Sequence, residues 1–302
     1  MSAARPALGL LLITMIWGGT FPVVKELVEN VPPYSLLAAR FGVAGVALGA
    51  AAWLRRREWR PGLARAGGLL GLFLWGGYFT QTFGLQFTTA SKAGFITSLN
   101  VVFVAVLAAV VSKRSTPPLT WLGIGVATVG LALLSVDWSE SLSLAPGDLW
   151  VLACAVLFAV HIVAVDRFAP AYDPVLLTWV QMTVVAAVST AAAFAFDGGL
   201  VGLDRAENWG PLLFLALIAS AGAVLLQVYL QRFAAPARVG LIFSLEPLFA
   251  ALFAWLLLGE TLPLVGWIGG ALVLAGVVLA ELKPQGPGAP AGELAEAGGG
   301  QG

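Results

Sequence analysis

Stretches of about 20 apolar residues follow one another along nearly the whole chain, separated by short segments that carry charges and prolines. A helix of that length rises 1.5 Å per residue and crosses the roughly 30 Å of hydrocarbon in a bilayer. Apolar residues make up 59% of the 302 positions and the mean hydropathy is +0.92, which is more than a soluble domain needs to fill its core. The sequence therefore predicts an all-α integral membrane protein.

Charges, prolines and polar breaks divide the chain into ten predicted spans. They cover residues 7–27, 34–54, 67–87, 91–111 and 119–136 in the first half, and 148–167, 175–196, 211–230, 239–258 and 264–281 in the second. The first run lacks a small-residue cleavage site, so we expect it to be retained as a helix. Residues 284–302 are mainly Pro, Gly, Ala and Glu, and are predicted to form a disordered cytoplasmic tail.

The distribution of charge predicts the orientation of the chain. With the N-terminus in the cytoplasm, the cytoplasmic segments hold twelve of the sixteen cations, namely Arg5, Arg55, Arg56, Arg57, Arg60, Arg65, Lys113, Arg114, Arg167, Arg232, Arg238 and Lys283. The outer segments hold the cations Lys25, Lys92 and Arg205, and acidic residues such as Asp137, Glu140, Asp197, Asp204 and Glu207. Because cytoplasmic loops carry an excess of Lys and Arg, both termini are predicted to face the cytoplasm.

The second half of the chain repeats the first. A shift of 146 residues superimposes Gln81 on Gln227, Ser98-Leu99 on Ser244-Leu245, Asn100 on Glu246, Gly123 on Gly269 and Gly130 on Gly276. A shift of 141 sets Arg40 opposite Gln181 and Thr20 opposite His161. Each half has five spans, an odd number, so the second copy must enter the membrane from the other side. The sequence thus predicts two inverted repeats, residues 7–136 and 148–282, an arrangement common in transporters.

Several short motifs lie in or beside the predicted helices. They are Trp17-Gly18-Gly19-Thr20-Phe21, Ala39-Arg40-Phe41, Thr89-Ala90-Ser91-Lys92-Ala93-Gly94, and Ser244-Leu245-Glu246-Pro247 followed by Gly259-Glu260. Together they resemble the EamA family of the drug/metabolite transporter superfamily, over about residues 7–282. The resemblance implies ten helices in two inverted repeats, a central cavity, and export of amino acids, related metabolites or drugs.

Glu246 lies roughly 12 Å into the ninth predicted span, near the bilayer midplane. An ionised carboxylate at that depth costs about 2.5 kcal/mol or more. Pro247 removes a helix hydrogen bond beside it and can expose a carbonyl group to a cavity. Two interpretations stay open: Glu246 binds substrate or couples transport to protons, or it is a structural carboxylate paired with an Arg or a backbone donor.

Arg40 lies about two turns into the second predicted span from the outside. Its long side chain could reach the outer surface or pair with an acidic loop, which would be a structural role. If it faces a cavity instead, its guanidinium group suits a substrate carboxylate, which is consistent with an amino-acid-like cargo.

Other polar and small residues at mid-span complete the predicted central site. The candidate cavity residues are Trp17, Thr20, Arg40, Tyr78, Gln81, Asn100, His161, Gln227 and Glu246, and the candidate helix breaks or hinges are Gly18, Gly19, Pro22 and Pro247. Thr82 and Tyr229 are also expected to face inward. The alternative for any one of these polar groups is an interhelical hydrogen bond, worth under about 1 kcal/mol on average.

The sequence also limits the class of function. Its single cysteine and single histidine leave too few ligands for a structural zinc site, so no metal or cofactor is expected. An enzyme would need a nucleophile, a metal cluster or paired carboxylates, and no such pattern is visible. We therefore predict a plasma-membrane or inner-membrane transporter whose partners are the bilayer and a small-molecule substrate, without nucleic acid and with a homodimer left open. A channel or scaffold without carrier activity is the main rival.

Overall fold

The computed structural model describes residues 4–111, 117–135, 145–258 and 263–281. The predicted charges at Lys113, Arg114, Asp137 and Glu140, the Gly259-Glu260 motif and the segment 282–302 lie outside these described residues. Every regular element in the described part of the chain is helical.

In the first half the helices are α1 (Ala4–Gly18), α2 (Thr20–Leu27), α3 (Pro33–Leu54), α4 (Leu63–Gly84), α5 (Ala90–Ser98), α6 (Asn100–Val111) and α7 (Pro118–Ser135). In the second half they are α8 (Pro146–Phe168), α9 (Pro174–Ala192), α10 (Trp209–Leu213), α11 (Ala223–Leu230), α12 (Pro236–Phe243), α13 (Glu246–Leu258) and α14 (Leu264–Glu281). A π-helical turn, Ala193–Asp197, continues α9. A second π-helical stretch, Phe214–Gly222, joins α10 to α11, and is called the π segment below.

Proline begins several of these helices. Pro33, Pro146, Pro174 and Pro236 each occupy one of the first two helical positions, where a missing N–H costs nothing and the fixed φ favours the helix. The carboxylate of Asp173 caps α9 by accepting hydrogen bonds from the next two free backbone N–H groups, at 3.0 and 3.2 Å. The prolines that punctuate the sequence therefore mark helix starts, as the predicted spans assumed.

Seven stretches of the described chain are long and apolar enough to cross a membrane: Pro6–Leu27, Pro33–Leu54, Lys92–Val111, Pro146–Ala171, Pro174–Asp197, Ala206–Phe233 and Pro236–Phe253. Two shorter apolar helices, Pro118–Leu134 and Leu264–Ala280, accompany them, together with α4. Glycines, threonines, Arg65 and Gln81 make α4 less apolar than the others, although it is 22 residues long. The predicted multi-pass helical membrane protein is confirmed, and the number of ten spans stays a prediction.

Glycines set a close helix crossing between α7 and α14. A Cβ atom added at Gly123 would lie 2.5 Å from the carbonyl oxygen of Gly276, and one added at Gly130 would lie 2.6 Å from that of Gly269. Small residues at such a crossing let the two backbones approach closely. Because the earlier glycine of one helix meets the later glycine of the other, the two helices run antiparallel.

The second spans of the two halves also cross antiparallel. In this pair, α3 and α9, Gly45 lies against Thr183, and Gly49 lies against Trp179, whose Nε1 would be 2.8 Å from an added Cβ atom. Elsewhere α4 packs on α8 while α1 packs on α11, and α6 packs on α12. Each of these contacts has its counterpart when the two sequence repeats are exchanged, so the packing has an approximate two-fold symmetry.

Polar contacts tie the halves together at one end of the molecule. Nη1 of Arg57 lies 2.9 Å from Oδ2 of Asp173, and Nη1 of Arg60 donates a hydrogen bond to the backbone oxygen of Ala171 (3.4 Å). These residues fall in segments predicted to be cytoplasmic.

A second set of polar contacts lies at the opposite end. Nζ of Lys25 donates to the carbonyl oxygens of Leu85 (2.6 Å) and Thr88 (3.0 Å), where α4 ends. The hydroxyl group of Thr88 donates to Asp148 at the start of α8 (2.5 Å). The space enclosed between the two ends is the centre of the helix assembly.

Candidate functional site

A central cavity lies where both halves meet. It is lined by Trp17, Thr20, Arg40, Leu74, Tyr78, Gln81, Thr97, Asn100, Phe158, His161, Ile162, Gln227, Phe243 and Glu246, and its volume is about 40 Å³. That is room for a few water molecules. All nine candidate cavity residues named from the sequence are in this lining. The structure therefore brings them together, while their binding of a substrate stays a prediction.

The break between α1 and α2 brings the first helix against the ninth span. A Cβ atom at Gly18 would lie 2.7 Å from the backbone oxygen of Glu246, so only glycine fits there without displacing that backbone. Gly19 separates the two helices, and the hydroxyl group of Thr20 donates to the carbonyl oxygen of Trp17 (2.7 Å). Pro22 lies within the first turn of α2. The helix is interrupted where the sequence predicted, and its action as a hinge stays a prediction.

Arg40 faces the cavity and is only 2% exposed. Its Nε donates to the hydroxyl oxygen of Ser220 (2.7 Å), and its guanidinium carbon lies 4.6 Å from the ring centre of Tyr78. In the described part of the chain it forms no ion pair with an acidic loop, because Asp197 accepts hydrogen bonds from Ser35 instead. The Arg40 side chain therefore faces the cavity and does not reach the outer surface.

Glu246 and Asn100 occupy equivalent places in the two repeats. Glu246 is the first residue of α13 and Asn100 is the first residue of α6, and both are more than nine-tenths buried. The side-chain oxygen of Asn100 has no hydrogen-bond partner, and within the described residues the Glu246 carboxylate forms neither a hydrogen bond nor an ion pair. A carboxylate in the first helical turn is favoured by the helix dipole. The structural pairing considered for Glu246 is therefore absent from the described residues.

Three polar side chains of the cavity form side-chain hydrogen bonds. Nε2 of His161 lies 2.8 Å from the amide oxygen of Gln181, which makes the imidazole the donor. Gln227 donates to Gln231 (2.8 Å) and Gln81 donates to Thr97 (3.3 Å). The bonds of His161 and Gln81 are the interhelical role considered from the sequence, whereas Gln227 bonds within its own span. All three donors also line the cavity.

Tyr229 was expected to face inward with Gln227, and this is wrong. Its side chain is 41% exposed, and its ring contacts that of Phe233, with centres 5.6 Å apart. Gln227 and Tyr229 are two positions apart, which places their side chains about 200° apart around the helix axis. Both side chains therefore cannot face one cavity. Thr82 is buried as expected.

The described residues contain no group of three or more His, Cys, Asp or Glu side chains that could hold a metal ion. Cys154 is buried beside the Thr97 hydroxyl group at 4.0 Å.

Comparison with known proteins identifies the architecture. A model of the EamA-like transporter family matches residues 5–136 and again residues 145–282. The chain belongs to the EamA-like transporter family. Within the drug/metabolite transporter superfamily to which EamA proteins belong, this chain carries the family domain twice.

Two relatives that are named as transporters match this EamA transporter over most of their length. An uncharacterized transporter of Archaeoglobus fulgidus is 30% identical over 282 residues, covering 91% of this chain and 85% of that protein. The uncharacterized inner membrane transporter YedA of Escherichia coli K12 is 26% identical, covering 90% and 89%. One crystal structure superimposes with a TM-score of 0.77 over 92% of this chain and 96% of that chain, at 21% identity, and so shares the fold.

Two features of the EamA transporter were missed from the sequence. The predicted fourth span, residues 91–111, is interrupted at Leu99, between α5 and α6. A signal was available, because the matching interruption at Ser244-Leu245 precedes Pro247 and Leu99 is the mate of Leu245. The π segment had no such signal, since residues 214–222 are an ordinary apolar run.

Proposed function

We propose that this EamA transporter is a carrier that exports amino acids or closely related small metabolites across the plasma or inner membrane by alternating access. The observation that carries the proposal is the buried Arg40, which faces a cavity built by both halves and has no carboxylate partner among the described residues. A permanently charged guanidinium group is costly to bury without an anion. A cargo carboxylate would supply that anion when it binds.

The proposal includes two inverted repeats of five spans, residues 7–136 and 148–282, with both termini and the tail 284–302 in the cytoplasm. The antiparallel crossings of α3 with α9 and of α7 with α14 support it, because each pair consists of repeat mates. A scaffold with that symmetry can let either half adopt the packing of the other, so inward-open and outward-open states have similar free energies. The name of the YedA relative supports the inner membrane as the location.

Reconstituted protein tests the carrier directly. Proteoliposomes preloaded with each of the twenty standard amino acids in turn are diluted into the same labelled amino acid, and the time course of uptake is measured. A carrier gives saturable flux and accelerated exchange that transiently concentrates label inside. Linear flux that does not saturate would indicate a channel, and no flux with any member of the panel would leave the amino-acid proposal without support.

We also propose that Glu246 couples transport to protons. Its carboxylate lies at the cavity, and the other charged or titratable side chains in the lining are Arg40, Tyr78 and His161. An ionised carboxylate at mid-membrane depth is costly unless a cation accompanies it, so a proton and a cargo ammonium group are alternative partners. Glu246→Gln should abolish the acceleration of transport by an imposed pH gradient while exchange at equal pH continues. Full gradient-driven transport in a folded Glu246→Gln protein would exclude the coupling role.

A further inference from the structure

The π segment, Phe214–Gly222, is nine residues long and lies inside the apolar stretch Ala206–Phe233. π-Helical turns are rare and are found frequently at functional sites. The matching residues of the first half, 68–76, form regular α-helix within α4. The two repeats therefore differ in backbone geometry at this place.

Two consecutive residues of the π segment hold two side chains of the cavity. The backbone oxygen of Ala219 accepts a hydrogen bond from Nε1 of Trp17 (2.9 Å), and the hydroxyl oxygen of Ser220 accepts one from Nε of Arg40 (2.7 Å). Ser220 is completely buried. Its mate in the first half is Leu74, which offers no hydrogen-bonding group to Gln181, the mate of Arg40. The contact between Arg40 and Ser220 therefore has no counterpart when the two repeats are exchanged.

The bond to Ser220 limits how Arg40 can meet a ligand. A guanidinium group binds a carboxylate with two parallel hydrogen bonds, either through Nε and one terminal nitrogen or through the two terminal nitrogens. With Nε occupied by Ser220, the two terminal nitrogens are the donors left for a carboxylate. The ring of Tyr78, 4.6 Å from the guanidinium carbon, covers one face of the group. Ser220 and Tyr78 together restrict how a carboxylate can approach Arg40.

We infer that Ser220, presented by the π segment, is a positioning residue that orients Arg40 for end-on recognition of a cargo carboxylate. The inference rests on the proposed export of amino-acid-like cargo. It assigns to the π segment the role of setting the geometry of the cargo site, and it predicts selectivity for a carboxylate over a carboxamide of the same shape.

The test compares Ser220→Ala and Ser220→Thr with wild type in proteoliposomes. The probes are the standard amino acid that wild type transports best and the amide of that amino acid. Losing a hydrogen bond to a charged group should raise KM for the acid on the order of 10-fold in Ser220→Ala. We expect kcat for the acid, and both kcat and KM for the amide, to stay within about twofold of the wild-type values. The amide lacks the carboxylate that the oriented guanidinium group of Arg40 would bind. Ser220→Thr retains the hydroxyl group and should behave as wild type.

Ser189→Ala is the matched control, because Ser189 is also completely buried in the second half and its hydroxyl group has no partner among the described residues. It should leave both KM values unchanged. The inference would be overturned if Ser220→Ala changed KM for the acid and for the amide equally. It would also be overturned if Ser220→Ala changed neither KM while Arg40→Lys raised KM for the acid. Either result would leave the proposed carrier function intact. If wild type transports no amino acid at all, the proposed function itself fails.

If Ser220→Ala does not fold, as judged by gel filtration and thermal unfolding, Ser220→Cys replaces it. A thiol has nearly the size of the hydroxyl group but is a weak acceptor. It should raise KM for the acid and spare the amide. A Ser220→Cys protein with the KM of wild type for the acid would also overturn the inference.

Discussion

The two halves of this transporter have the same scaffold and different chemistry. Each contributes a broken fourth helix whose second part begins at the cavity, and there the first half has Asn100 where the second has Glu246. The first half has the cation Arg40 where the second has the neutral Gln181. Helix packing follows the approximate two-fold symmetry, whereas charge does not.

The difference shows which properties the repeat constrains. The glycines at the α7–α14 crossing recur in both copies, because this symmetric crossing needs small residues on both sides. The cavity residues are free to diverge, since one cargo occupies one site and meets each half once. An acid from one half and a base from the other give the cavity two oppositely charged groups that do not pair within the described residues.

The largest expected effect is on the symmetric scaffold. Gly130→Val would place side-chain atoms into the backbone of α14, where a Cβ atom already lies 2.6 Å from Gly269 oxygen and Val273 nitrogen. We expect a loss of about 3 kcal/mol or more of stability, at the upper end of overpacking effects. Thermal unfolding in detergent measures it. Gly125→Val, on the same helix with open space around its Cβ position, is the control and should unfold as wild type does.

The asymmetry of charge is tested by replacing Arg40 of the first half with the residue type of its mate in the second half. Arg40→Gln introduces the residue found at its mate, Gln181, and removes the proposed carboxylate partner. Truncating one member of a buried charge pair costs about 2 kcal/mol or more, so KM for an amino acid should rise about 30-fold or more. KM for the amide of the same amino acid should change far less. Equal KM values for acid and amide in both wild type and Arg40→Gln would show that Arg40 does not read a carboxylate.

A smaller effect is expected where the first half touches the break of the second. Gly18→Ala places its Cβ atom 2.7 Å from the backbone oxygen of Glu246, whereas at Gly19 the nearest contact, Ile16 oxygen, is at 3.5 Å. We expect Gly18→Ala to cost about 1–2 kcal/mol and Gly19→Ala to be tolerated. Unfolding temperatures of the two variants decide this. Equal stability would mean that the two breaks are not packed together.

The smallest effect concerns the polar contact between the halves at the predicted cytoplasmic end. Arg57 and Asp173 form a 2.9 Å ion pair whose side chains are 34% and 22% exposed. Such pairs contribute under about 1 kcal/mol and weaken with salt. Arg57→Gln should lower the unfolding temperature slightly at low salt and not at all at high salt. A large loss at both salt concentrations would place this pair among the main contacts between the halves.

The polarity of side chains within apolar runs allowed more of the site to be predicted than of the local backbone geometry. Charged and amide side chains in apolar runs must avoid lipid, so Gln81 and Glu246 could be placed at a common interior from sequence. For Arg40 the outer surface stayed an alternative, because its side chain is long enough to reach it. Tyr229 was misplaced because its helical phase relative to Gln227 was not used. The π segment could not be predicted, since its apolar residues are compatible with either helix type and tertiary contacts select the wider one.

Cargo protection of cysteines tests most directly the central claim that both halves enclose one cargo site. In a Cys154→Ser background, Leu74→Cys and Ile162→Cys place one thiol in the cavity lining from each half, and Leu122→Cys places one on the exposed side of α7. A transported amino acid at about nine times its Kd should slow methanethiosulfonate labelling of both cavity thiols about tenfold and leave Leu122→Cys unchanged. Labelling of both cavity thiols at the unprotected rate, in protein saturated with a cargo it transports, would contradict the account.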